Sequence, residues 1–497
     1  MMRSKAVSFL KGRLLAPLLL LLCAIILRGI TFGNPMLEPD EQFYLFAGGR
    51  LLQGDLPYVD VWDRKPLGIF LIYSFFHLFG TWRILAYQIG ALLSLWGTAL
   101  IVRNIASRIA PMSGAFMAAL LYEIWPNLAG GEGGQSPIFY NGLVTAAIWL
   151  IVSRLTYIKE SISACRYVGV AVMLLFGLAM QIKYTSIFEG LYAGVLLLFF
   201  SWQKRKNLYE TSMNSLLWIF CAILPTVIIL FFYWINGYAS DWIFANFVSI
   251  FERGKPNSHE ELVLIKKILL IVLPILFLWP LRKILSIRFT QAQRPIVTLL
   301  NGWACFALAG VALFGTWFPH YALPLFPPLV IQAAPLWYAP IGRISIVLVA
   351  AIGTFYGQLT LWKHHKHKGN KKAFTQIEQA IISNGGGCFF IYNGPIMLYD
   401  ALPYCKLSKY QFPSLFYFKS EEHATGMNPE NELRRILAQE PQHIITQNPA
   451  DESENPIIRK ELIQNLQKNY SESYAWIRDK RSIVVYTKKS LLPPHSE

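Results

Sequence analysis

Residues 38–79 read EPDEQFYLFAGGRLLQGDLPYVDVWDRKPLGIFLIYSFFHLF. This stretch joins two strongly apolar segments. It packs an adjacent acid pair (Asp40, Glu41), further acids at Glu38, Asp55 and Asp60, a basic pair (Arg64, Lys65) and several aromatics into one loop. A loop of that kind is too polar to enter lipid and too aromatic to be a simple spacer. The flanks set the class of the whole chain. Of 497 residues, 54% are hydrophobic, and the mean hydropathy of +0.39 is far from a soluble globular average. Apolar runs recur near the ~20 residues needed to cross ~30 Å of hydrocarbon, so an α-helical polytopic membrane protein is expected.

The runs are Leu14–Phe32, Ile84–Val102, Ser113–Trp125, Phe139–Ile158, Tyr167–Ile182, Leu191–Trp202, Leu216–Ile235, Ile268–Leu281, Ile296–Phe314, Tyr321–Trp337 and Ile344–Trp362. Together they predict about 11 transmembrane helices. Leu14–Phe32 follows a basic tail, is longer than a signal-peptide core and lacks a small-residue cleavage site, so it reads as an anchor. With the N-terminus cytoplasmic, the inside loops carry Arg103 and Arg108, then Arg154, Lys159 and Arg166, then Lys204 to Lys206, then Arg282, Lys283, Arg288 and Arg294. The net charge of +16 therefore follows the positive-inside rule and does not point to nucleic acid, for which no motif is present. Leu67–Phe79 is apolar but too short to span, and is expected to lie as a helix in the outer interface.

A transmembrane domain over 1–362, with an outer first loop at 33–83, is followed by a polar part over 363–497. Lys363-His364-His365-Lys366-His367-Lys368 reads as a solvated juxtamembrane cluster, since its lysines would repel a metal ion. Beyond it, helical patterns at Ala373–Ile382, Asn431–Gln439 and Pro456–Gln467 alternate with strand-like runs at 388–392, 443–446 and 482–486. That alternation predicts a small soluble α/β domain with a few parallel strands. The six cysteines show no metal-ligand spacing. Cys23, Cys221 and Cys305 lie in apolar runs as packing residues, while Cys388 and Cys405 would be bridged if their part of the chain faces an oxidising compartment.

Asp40-Glu41 reads in two ways. After Pro39 it is a good first helical turn, where acids meet the helix dipole favourably. Placed just outside a span, with Lys65-Pro66 in the same loop, it is also a candidate general base or stabiliser of an oxocarbenium-like sugar. Arg64 and Lys65 are either interfacial anchors or a clamp on a leaving phosphate. Lys183, at the end of an apolar run, is costly there unless paired or functional. His320-Tyr321 opens a proline-rich span, where a histidine can donate to phosphate. Glu123, and Glu132 within Gly130–Gly134, are weaker candidates; the glycines there read as supplying flexibility. Arg253 and Lys255, in the loop Asn236–Glu261, read as solvated or as guides for an anionic acceptor.

Taken together, Pro39-Asp40-Glu41, Phe43-Tyr44, Tyr58, Asp63-Arg64-Lys65-Pro66-Leu67-Gly68, Lys183-Tyr184-Thr185 and Pro319-His320-Tyr321 with Leu323-Pro324 resemble the GT-C superfamily of polyprenyl-phosphate-sugar-dependent glycosyltransferases. The likeness is to the family 39-like group, the bacterial relatives of protein O-mannosyltransferases and of lipid A aminoarabinose transferase. It covers the membrane part. It implies a GT-C-like fold, an acid pair holding the catalytic carboxylate (Asp40, with Glu41 supporting) and Lys65 on the donor phosphate. Arg64, Lys183 and His320 are further phosphate candidates, and Tyr44, Tyr58, Tyr321 and Glu132 are substrate candidates. The family's threonine-glutamate-proline element is here Gln135-Ser136-Pro137, so its second acid is absent or replaced by Glu132. No cofactor is expected; a divalent cation, which some GT-C enzymes need, would find too few ligands in an isolated Asp-Glu pair.

The expected activity is transfer of a sugar from a polyprenyl monophosphate carrier to a lipid, glycan or protein acceptor. The enzyme would sit in the inner membrane, with the first loop and the C-terminal domain periplasmic. The rival is a transporter or flippase of an anionic lipid-linked sugar, which should carry repeated halves or paired broken helices.

Overall fold

The computed structural model describes residues 2–205, 207–254, 258–315, 317–478 and 481–492. It resolves into two compact units, both discontinuous in sequence. One comprises Met1–Phe32, Gln88–Ile229 and Ser258–Trp362; the other comprises Gly33–Tyr87, Leu230–Asn257 and Lys363–Glu497.

The first unit is helical. All eleven apolar runs fall on helix in the chain, and nine helices among the described residues are long and apolar enough to cross a membrane. The two exceptions have local causes. Met112–Ile124 is only 13 residues long and gives way to the 3-10 turn Trp125–Leu128, where Pro126 removes a backbone donor. The run from Tyr321 is broken into a 3-10 segment, Pro319–Leu325, an eight-residue helix, Phe326–Ala333, and a second 3-10 segment, Ala334–Tyr338, each with proline near its start. Phe326–Ala333 packs against both Met112–Ile124 and Ser258–Ile284, and the helices at 136–153, 162–180, 187–205 and 294–314 pack in succession.

The second unit is built around the opening stretch. Pro39–Leu52 is a helix with Pro39 in its first turn, and Leu67–His77 is a helix of 11 residues, too short to span, as expected. The two pack tightly because Gly48 has no side chain: a Cβ there would lie 2.6 Å from the Ser74 amide nitrogen and 2.7 Å from the Tyr73 carbonyl carbon. We expect Gly48→Val to destabilise the protein by ~1–3 kcal/mol through overpacking. Gly97→Ala, where a Cβ meets nothing within 4 Å, should be neutral or mildly stabilising. Thermal unfolding in detergent of the two variants side by side checks this.

Within the same unit, residues 363–497 form a four-stranded sheet of order β1-β2-β4-β3, with β1 Phe389–Ile391, β2 His443–Asn448, β3 Tyr470–Arg478 and β4 Arg481–Lys488. The three predicted runs are strands and the three predicted helices are present, but the expectation of parallel strands holds only for β1 with β2. β2 with β4, and β3 with β4, are antiparallel. The strand β3 follows the helix Pro456–Asn469 without a turn and returns directly as β4, so a hairpin takes the place of a crossover. A Cys388–Cys405 disulfide ties the start of β1 to a later loop. The histidine-lysine cluster is the last turn of the helix Pro340–His367, where Lys368 is ion-paired with Glu38 and His364 lies 3.9 Å from the same carboxylate.

Candidate active site

Asp40, Glu41, Tyr44, Tyr58, Arg64 and Lys65 all belong to the second unit. Asp40 and Glu41 are adjacent in the first turn of Pro39–Leu52, yet helical geometry sends them to different places. Asp40 is partly exposed and faces Lys65, with Nζ 3.7 Å from its Oδ1, whereas Glu41 is fully buried and its charge bears on Tyr73. Tyr44, one turn along, lies beneath Lys65, whose ammonium sits 5.5 Å from the ring centroid. Tyr44 packs against Phe70 and Tyr73, and burial pushes its hydroxyl well above tyrosine's usual range.

The backbone of the basic run is fixed from beneath. Tyr58 adopts a positive φ of 72° and is fully buried, and its hydroxyl donates to the Lys65 carbonyl at 2.8 Å. Its amide donates to the Val61 carbonyl at 2.7 Å, so residues 57–61 close on themselves. Tyr233, whose ring lies 5.4 Å from that of Tyr58, donates to the Pro57 carbonyl at 3.1 Å. Lys65 is thus carried on a rigid turn rather than a mobile loop. Desolvation, joined by the negative charge of Asp40, holds the Asp63 carboxyl above the usual carboxylate range against the pull of Lys65 and Arg64.

Arg64 points elsewhere from its neighbour. Its two terminal nitrogens donate to Glu421 at 3.0 and 2.6 Å and its Nε donates to the Ser249 hydroxyl at 3.3 Å. Arg253 reaches the same Glu421 carboxylate at 2.8 Å. Lys255 lies outside the described residues.

The remaining candidates lie in the first unit. Lys183 is buried at the break between the helices Ile162–Met180 and Ile187–Arg205, and its ammonium stands 3.8 Å from the centroid of the Tyr321 ring. Tyr321 stacks on Phe314, and His320 lies beside it, stacked in turn on Phe318. Lys183 and Tyr321 line a narrow cavity of about 20 Å³, room for little more than a water, shared with Tyr140, Thr185, Phe188 and Glu189. Glu189 is buried and accepts a hydrogen bond from the Trp303 indole at 2.8 Å. It was missed from sequence, although an acid at the head of an apolar run is itself a signal.

Glu132 is buried in the Gly130–Gly134 loop. That loop is clamped, not flexible: the buried Arg28 guanidinium donates to the carbonyls of Gly131 and Gly133, and a Cβ on Gly131 would stand 2.7 Å from Leu323. Glu123, near the end of Met112–Ile124, is fully buried and feels the charge of Arg28.

With this geometry in view, the fold has clear counterparts. ArnT from Cupriavidus metallidurans in a crystal structure bound to undecaprenyl phosphate superposes with a TM-score of 0.63 at 15% identity, covering 98% of this chain and 100% of that one. The apo structure of the same protein gives 0.59 at 14% identity with the same coverage. No family model matches the sequence, and no curated protein matches it by sequence. The chain is a multi-pass membrane protein with the GT-C fold.

Proposed function

We propose that the protein is a membrane glycosyltransferase that moves a sugar from a polyprenyl monophosphate carrier to a lipid, glycan or protein acceptor. The observation that carries this reading is the Asp40–Lys65 pair, a carboxylate at the head of a helix 3.7 Å from an ammonium carried on a rigid turn. It is joined by the likeness of fold to a protein solved with undecaprenyl phosphate.

The chemistry needs these two charges side by side. An acceptor hydroxyl attacks the anomeric carbon as the bond from that carbon to the phosphate oxygen breaks. The polyprenyl phosphate leaves with the electron pair, and the hydroxyl proton passes to Asp40. A fixed cation next to the base stabilises the negative charge that grows on the departing phosphate, and Lys65 is assigned that task. Tyr44 and Tyr58 hold Lys65 in place from below. Lys183, with its ammonium over the Tyr321 ring, and His320 beside that ring are further groups that an anionic ligand could meet.

We also propose that the loop works on the outer, periplasmic face of the inner membrane. Support comes from the Cys388–Cys405 disulfide, which lies in the same unit as Asp40 and Lys65 and is of a kind that persists in oxidising compartments. No metal is assigned a step.

The test uses purified protein in detergent, where transport has no meaning. Given polyprenyl-phosphate sugars and an envelope lipid and glycan extract, it should release free polyprenyl phosphate and move one monosaccharide mass onto an acceptor, both read by mass spectrometry. Protein that binds the donor and never releases the carrier would remove the transferase proposal in favour of transport.

A further inference from the structure

Arg64 and Lys65 are neighbours in sequence with opposite surroundings. Lys65 meets Asp40, and Arg64 is turned to a carboxylate 357 residues later in the chain. Glu421 is 3% exposed and receives both terminal nitrogens of Arg64 together with Nε of Arg253. A bidentate guanidinium–carboxylate pair is directional as well as strong, and a second guanidinium on the same carboxylate fixes the orientation of all three groups. The surrounding backbone is tied to match: the Gly254 amide donates to the Ser420 carbonyl at 2.9 Å, and the Trp62 amide donates to the Lys409 carbonyl at 2.7 Å. Desolvation would raise the Glu421 carboxyl, but the hydrogen bonds and charge of Arg64, with that of Arg253, hold it below its usual range.

We infer that Glu421 is a positioning residue: it engages Arg64 as a strut, fixing the Asp63–Lys65 turn so that Lys65, and not Arg64, presents its charge to Asp40 and to the leaving phosphate. This deepens the transferase reading above and rests on it. It also reassigns Arg64, which the sequence offered either as an interfacial anchor or, with Lys65, as a clamp on the phosphate. Glu421 touches no reacting atom; it acts through Arg64 on the turn that carries Lys65. Removing it takes their shared carboxylate from two guanidiniums and loosens that turn.

The experiment is a double-mutant cycle on the full-length protein, with Arg64→Met, Glu421→Gln and the pair, scored on donor turnover and on the reactivity of Lys65 toward an amine-directed acylating reagent. If Arg64 acts through Glu421, each single change lowers kcat roughly tenfold to a hundredfold with donor KM within about twofold, and the pair is no worse than the worse single. Lys65 labelling, read by peptide mass spectrometry, rises in both singles and stays at the wild-type rate in Glu422→Gln. Glu421→Asp, which keeps a carboxylate, recovers part of the kcat and covers the case in which Glu421→Gln folds poorly. The inference is overturned if Arg64→Met raises donor KM while Glu421→Gln behaves as wild type, if the two losses add, or if Lys65 labelling does not move. The labelling arm needs no sugar transfer, so an inactive wild type sinks the transferase reading without being mistaken for this result.

Discussion

Asp40→Asn should give a protein that inserts normally, unfolds at the wild-type temperature and transfers no measurable sugar. The side chain keeps its size and loses its charge, so what changes is the capacity to take a proton from the acceptor hydroxyl. A positioned general base contributes about 10²–10⁴ in rate. The fold is at little risk, because asparagine keeps the size and one polar oxygen of the side chain, and the pair at 3.7 Å is longer than a hydrogen bond. Activity and stability therefore separate at this position. Donor turnover, with the unfolding temperature as control, decides it; an asparagine variant with ordinary turnover takes Asp40 out of the mechanism.

Lys65→Met should be nearly as severe, lowering kcat by about 10²–10³, the scale seen when one fixed donor to a developing negative charge is removed. Methionine preserves the alkyl packing over Tyr44. The Lys65 backbone stays held by the Tyr58 hydroxyl, so the turn survives the substitution. The split between constants carries the information. An interaction made mainly with the departing phosphate shows in kcat, and one made equally with the bound donor shows in KM alone. Lys65→Arg should recover only part of the rate, since a planar guanidinium does not place its charge where a compact ammonium does. A variant with raised KM and unaltered kcat would leave Lys65 as a binding group only.

What the sequence disclosed and what it withheld follow a physical line. Helices written in long apolar runs, the acidic first turn after Pro39, and the shared loop of Asp40 and Lys65 all depend on residues near one another in the chain, and they are read directly. The broken span at Pro319–Tyr338 was marked by its prolines, yet whether a proline-rich run crosses whole or in pieces depends on the helices packed around it. Glu421 offered no signal at all, because an acid in a polar stretch looks alike whether it meets water or two arginines. The hairpin of β3 and β4 was hidden for a related reason: β3 is half-exposed along its length and lacks the apolar core of β4. The glycine loop at 130–134 was misjudged because its rigidity comes from Arg28, about a hundred residues earlier.

The separation of 357 residues between Arg64 and Glu421 also has a temporal side. At about 5–20 residues per second, the ribosome delivers the carboxylate roughly 20–70 s after the arginine it receives. For that interval the turn that carries Lys65 exists with its strut unmade, so its maturation waits on the last quarter of synthesis. Premature stop codons late in the reading frame should therefore spare insertion of every earlier helix and still yield a dead enzyme.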